Sequence, residues 1–108
     1  MRHFLALILV AVGLASCATS PSAEVTGSAA SGQVLRDAKH MVLLIDTARD
    51  RDCQEQRHIT VEPMVAEKPG VIVERWHVER CGSTKTYRLT FTPTPTKGGT
   101  DVGIQEEP

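Results

Sequence analysis

The chain has 108 residues, a formal net charge of −1 and 23% charged side chains. That length leaves no room for a second full-sized domain, and the charge provides no basic excess of the kind nucleic-acid binding requires. Only one long apolar run occurs, near the start, so no further membrane-spanning stretch is expected.

Residues 1–17 read MRHFLALILVAVGLASC, a short basic start, an apolar run from Phe4 to Val12 and an end of small residues. This is the layout of an export signal, and the run is short for a membrane span. Leu14-Ala15-Ser16-Cys17 resembles the lipobox of bacterial lipoproteins. The resemblance implies removal of residues 1–16 and lipid on Cys17, with several acyl chains giving a stable membrane anchor. The alternative is an ordinary secretory signal cut near Ala15, which would leave Cys17 a spare thiol. Ala18 follows the cysteine, and by resemblance to Gram-negative lipoprotein sorting this implies a periplasm-facing place on the outer membrane. Losing Arg2 with the signal leaves 11 basic against 13 acidic side chains in the remaining 92 residues.

From Ala18 to Gly32 the sequence ATSPSAEVTGSAASG is small and polar. It offers too little apolar surface to offset ordering, so residues 17–32 are expected to be a lipidated cysteine and flexible tether. The folded domain is expected over 33–108.

Val34, Ala38, Met41, Ile45 and Ala48 recur at spacings of four and three, which predicts one face of a helix. Leu35 and Val42 widen that stripe; Arg36, Asp37, Lys39, His40 and Asp46 fall mostly opposite, and Ser31 could cap the start. A buried strand over Met41–Ile45 is the competing reading, because five consecutive apolar residues carry no period. After Cys53 the pattern alternates. Ile59-Thr60-Val61 precedes an interrupting Pro63, and Lys68-Pro69-Gly70 supplies a turn. A strand through Ile72, Trp76 and Val78 leads to a turn at Cys81-Gly82-Ser83-Thr84. A second strand carries Tyr87, Leu89 and Phe91. Pro93, Pro95 and Gly98-Gly99 then break the chain before a short strand near Thr100–Ile104. The predicted fold is α+β: one N-terminal helix on an antiparallel meander of three to four strands. Its inner face holds Ile59, Val61, Ile72, Trp76, Val78, Tyr87, Leu89 and Phe91.

With Cys17 taken by lipid, Cys53 and Cys81 form an even pair in an oxidising compartment, and a disulfide is expected. It would close a loop of about 29 residues and staple a thin core. Two free thiols are the alternative.

No catalytic constellation is visible. His58 and His77, with Glu62 or Glu79, could meet on neighbouring strands as a surface metal site, but no ligand spacing joins them and solvated imidazoles are the plainer reading. Cys81 could be a nucleophile with His77 as base, but residues four apart in a strand lie roughly 13 Å apart. No metal and no cofactor are expected. Asp50/Asp52 and Glu106/Glu107 read as solvated charge. Arg75 and Arg88 should lie opposite the Trp76 and Tyr87 row. There they form either a basic stripe facing anionic envelope polymers, or cross-strand pairs with Glu62, Glu74 and Glu79. Trp76 and Tyr87 are core residues or binding hot spots.

Asp52-Cys53, Glu74-Arg75-Trp76-x-Val78-x-x-Cys81-Gly82, Tyr87-Arg88-Leu89-x-Phe91 and Gly98-Gly99-Thr100-Asp101 resemble a set of small, uncharacterised Gram-negative outer-membrane lipoproteins. The likeness covers about 52–104 together with the lipobox. It implies a disulfide-linked α+β domain on the outer membrane and transfers no activity. The expected role is a lipid-anchored accessory or binding module for an envelope protein or cell-wall polymer. The alternatives are a small inhibitor of a cell-wall-active enzyme and, third, a small enzyme using His58, His77 or Cys81.

Overall fold

The structure is a computed structural model that describes residues 23–108. The expected signal and lipid site at Cys17 fall outside the described residues. The elements are β1 (Ala23–Thr26), α1 (Gly32–Arg49), β2 (Arg57–Met64), β3 (Ile72–Arg80), β4 (Ser83–Thr94) and β5 (Gly99–Glu107). They form one five-stranded sheet in the order β1-β2-β3-β4-β5, with α1 packed on one face. The α+β class and the helix hold. The sheet is larger than the expected meander and mixed, because β1 pairs parallel to β2 while the other pairs are antiparallel.

β1 corrects the tether. Ala23–Thr26 pairs in register with Arg57–Thr60, and Ala23 and Ala30 are buried. The order comes from backbone pairing to an existing strand, which composition does not report. The β1–α1–β2 segment is thus a parallel crossover, and the folded part begins at 23, not 33.

The helix settles Met41–Ile45 as helical, and its buried seam is Ala38, Val42, Leu43 and Asp46. Met41 and Ile45 are half-buried and Ala48 is exposed, so the seam is rotated from the expected stripe. Asp46 is the reason: a carboxylate shares the buried face, and a stripe drawn through apolar residues alone passes it by. Ser31 takes the cap position with extended backbone, but its hydroxyl makes no capping hydrogen bond.

Alternation places the sheet core correctly. Val61 faces Trp76, Ile59 faces Val78, Trp76 faces Tyr87 and Ile72 faces Phe91. Trp76, Tyr87, Val78 and Leu89 are fully enclosed, and partly buried Val102 and Ile104 of β5 complete the layer. Both Trp76 and Tyr87 are therefore core, not hot spots.

Two prolines do not end their strands. β2 runs through Pro63, which lies beyond the last β1 pairing at Thr26↔Thr60 and pairs only with β3. β4 runs through Pro93, past the last β3 pairing at Ile72↔Phe91, and pairs only with β5. In each case the missing N–H faces an unpaired side. The β3–β4 turn is tighter than expected. Only Cys81 and Gly82 lie outside the strands, with φ of 46° and 73°, as a type I′ hairpin requires.

Cys53 and Cys81 form the expected disulfide, with Cα atoms 6.0 Å apart and a sequence separation of 28. It ties the segment after α1 to the β3–β4 turn. Closing a loop of that length contributes roughly 3–4 kcal/mol in the chain-entropy model. Cys53→Ser and Cys81→Ser should therefore lower unfolding free energy by about the same amount, roughly 3–4 kcal/mol each, in denaturant titrations. A clearly unequal pair of losses would contradict the shared staple.

Candidate functional site

The side chains with chemistry fall in three places: a buried cluster under α1, a clamp on the β1–α1 loop, and the open face of the sheet.

Under the helix, Asp46 accepts hydrogen bonds from Arg57 Nε at 2.7 Å, Tyr87 Oη at 2.8 Å and Arg80 Nε at 3.2 Å. Asp46 and Arg57 are both enclosed, at 0% and 2% exposure. Arg80 also approaches Asp50 at 3.7 Å. Burial pushes the Asp46 carboxyl up, but the bonds from Arg57, Tyr87 and Arg80 outweigh it and hold the group below the ordinary carboxylate range. Burial and the bond to Asp46 push the Tyr87 phenol well above its usual value. The cluster joins α1, β2, β3 and β4, and its enclosure assigns it to architecture. Sequence reading put Asp46 on the solvent side. The signal was available: Asp46 lies four residues after Val42 and eight after Ala38.

The clamp is Glu74, which sits on the core face and is 1% exposed. Its carboxylate accepts from Ser28 Oγ at 2.7 Å, the Ala29 N–H at 2.8 Å and Trp76 Nε1 at 3.2 Å. A residue expected to pair with surface arginines instead holds the chain between β1 and α1.

The open face carries the predicted pair. Arg75 and Arg88 lie opposite the Trp76 and Tyr87 row and directly across from each other. Like charges so placed repel. Glu107 relieves this: its carboxylate lies 2.7 Å from Arg75 Nε and 3.3 Å from Arg88 Nε, while Glu62 lies 3.6 Å from Arg75 Nη1. The Glu107 contact raises the Arg75 guanidinium above its ordinary value. The row is charge-balanced rather than a basic stripe. Of the expected partners Glu62 takes part, Glu74 does not, and Glu107 of β5 supplies the main contact.

His77 extends this row. Its Nε2 lies 2.9 Å from Glu62 Oε2 and its Nδ1 lies 3.1 Å from Thr86 Oγ1. The bond to His77, with the nearby Arg75 charge, lowers the Glu62 carboxyl from its ordinary value. A hydroxyl, an imidazole and a carboxylate in sequence resemble a proton relay. However, Thr86 is on a strand paired on both sides, to His77 and to Glu107, so the ladder takes up backbone N–H groups an oxyanion would need. The trio links β2, β3 and β4 across the face. His58 stands opposite Glu79 rather than His77. No group of three metal-ligating side chains comes together among the described residues. The Cys81 sulfur is committed to the bridge.

Arg88 has a second environment that sequence reading missed. A groove of about 470 Å³ opens beside it, lined by the apolar Met64, Val65, Val71 and Val73 and by the charged Glu67 and Lys68. Val65 is 96% exposed. Arg88 Nε is enclosed yet makes no well-aligned hydrogen bond. The groove joins the β2–β3 loop to the ends of β3 and β4, so no single run of sequence carries it.

No family model matches the chain, and neither a curated protein nor a solved structure matches it significantly.

Proposed function

We propose that this chain is a lipid-anchored, periplasm-facing outer-membrane lipoprotein that acts as a binding module of the cell envelope. The groove beside Arg88 on the sheet face opposite α1 is the observation that carries the binding role. Glu67 offsets Lys68, but an apolar lining beside Arg88, whose Nε lacks a well-aligned hydrogen bond, suits a protein segment with an apolar side chain next to a carboxylate. The lipobox resemblance at Cys17 supports the anchor. The disulfide is consistent with an oxidising compartment.

The test is crosslinking in intact cells that produce the full chain, followed by titration of the purified partner against the purified protein. Arg88→Glu should weaken that binding at least about tenfold, the cost of turning one charge contact into a repulsive one. Because the introduced carboxylate would also face Glu107, circular dichroism and the uncharged Arg88→Gln variant serve as fold controls. Gln33→Glu on the outer face of α1 should leave binding unchanged. Equal affinity for Arg88→Glu and wild type would remove the groove from the proposal. Recovery of the domain alone would favour a polymer or small-molecule ligand over a protein.

A further inference from the structure

We infer that the edge formed by β1 and the flank of α1 beside it, centred on Arg36 and Lys39, rests against anionic phospholipid headgroups of the membrane that holds Cys17. This rests on the lipid anchor proposed above and goes beyond it by assigning the surface that faces the bilayer.

The first ground is the length of chain between anchor and fold. β1 starts at Ala23, so only Ala18–Ser22 separate Cys17 from the sheet. Six Cα–Cα steps span at most about 20 Å even when fully extended. Part of that reach is used in crossing the headgroup layer, which is about 5–7 Å deep on each side of a bilayer. The fifteen-residue spacer that composition suggested would have freed the domain from the surface. The actual separation keeps Ala23 beside it.

The second ground is what surrounds Ala23. A slot of about 320 Å³ is lined by Ala23, Glu24, Val25, Leu35, Arg36 and Lys39. Arg49, Arg57, Arg75, Arg80, Lys85 and Arg88 all pair with carboxylates. Arg36, Lys39, Arg51, Lys68 and Lys97 have no carboxylate partner among the described residues; of these Arg36 and Lys39 flank Ala23, and Arg36 is held by Gln33 Oε1 at 2.9 Å. Two unpaired cations over a small apolar slot suit a headgroup layer. They line the slot together with Leu35 and Val25, which places their charges where lipid phosphates could meet them. The groove beside Arg88 lies on the open sheet face and at the far end of β2, so a partner reaches it with the domain so seated.

Lysine acylation footprinting tests this on the full lipidated chain. Lys68 and Lys97, in the turns at the opposite end of the sheet from Ala23, serve as internal references. In phosphatidylglycerol-containing vesicles, Lys39 should react about fivefold more slowly, relative to those two, than in the Cys17→Ser protein free in solution, the factor that matches the roughly 1 kcal/mol one basic group gains near an anionic surface. Arg36→Glu should reduce the protection, as should neutral phosphatidylcholine vesicles. A protein that floats with the vesicles and carries acyl mass on Cys17, yet shows unchanged Lys39 reactivity, overturns this inference and leaves the anchor standing. Equal protection on neutral phosphatidylcholine vesicles, whose headgroups carry a phosphate but no net charge, overturns the assignment to anionic lipid. Absence of acyl mass and failure to float overturn the anchor, and the inference with it.

Discussion

Asp46→Ala is expected to destabilise the protein by about 3–5 kcal/mol, the range for removing one partner of a buried ion pair. The loss comes from Arg57, which is 2% exposed and would keep its charge with its main counter-ion gone. Such a cost approaches the whole stability of a domain this small. Urea titration followed by circular dichroism measures it. Tyr87→Phe removes one donor to the same carboxylate and leaves both arginines, so it should cost less, about 1.5–3 kcal/mol. Replacing Asp46 and Arg57 together by leucine should recover much of the single-mutant loss, because no charge is then left unpaired. If Asp46→Ala proves nearly neutral, the cluster does not hold the helix to the sheet. The pH dependence follows from the same contacts. Asp46 is held below its ordinary value of 3.8, so its contribution is complete above that value. It is lost as pH falls through the lower folded value, and Asp46→Asn should flatten this acid limb.

Trp76→Ala should cost about 3–5 kcal/mol through the cavity it leaves, with a further penalty for Glu74. Trp76 is fully enclosed, pairs across the sheet with Val61 and Tyr87, and donates its indole N–H to Glu74. The thermal transition should broaden or fall below working temperature. Trp76→Phe keeps most of the ring volume but removes the donor, so it separates packing from the clamp. If Phe behaves like Ala, the indole N–H dominates; if Phe is close to wild type, packing does. A Trp76→Ala variant that melts normally would show that the core does not depend on this ring.

Legibility of the fold follows the range of the forces involved. The alternation in Tyr87-Arg88-Leu89-Thr90-Phe91 reports side-chain burial directly, so the inner face, the helix and the bridge could be read. β1 could not. Its four residues contribute only Ala23 and half-buried Val25 to the core, and the order comes from hydrogen bonds to a strand more than thirty residues later. Glu74 and Asp46 were misjudged for a related reason. A carboxylate is buried only when its donors converge, and those donors come from Ser28 and Ala29, or from Arg57, Arg80 and Tyr87. Of the site, Arg75 and Arg88 were placed on the correct face. Their neutralisation by Glu107 and the groove at Arg88 depend on register between strands, which a single chain does not print.

The parallel strand β1 also has a mechanical meaning. If Cys17 is held in a membrane while a partner pulls on the open face, the tension enters the domain at Ala23. The first links to bear it are the β1–β2 ladder, four residues long, and the Glu74 clamp on Ser28 and Ala29. The Trp76 core and the disulfide lie behind them. Releasing residues 23–31 would pay out about 30 Å of chain. Under the proposed anchor the first strand would act as a spring clip, keeping the domain close under slack and lengthening its leash before the core is strained.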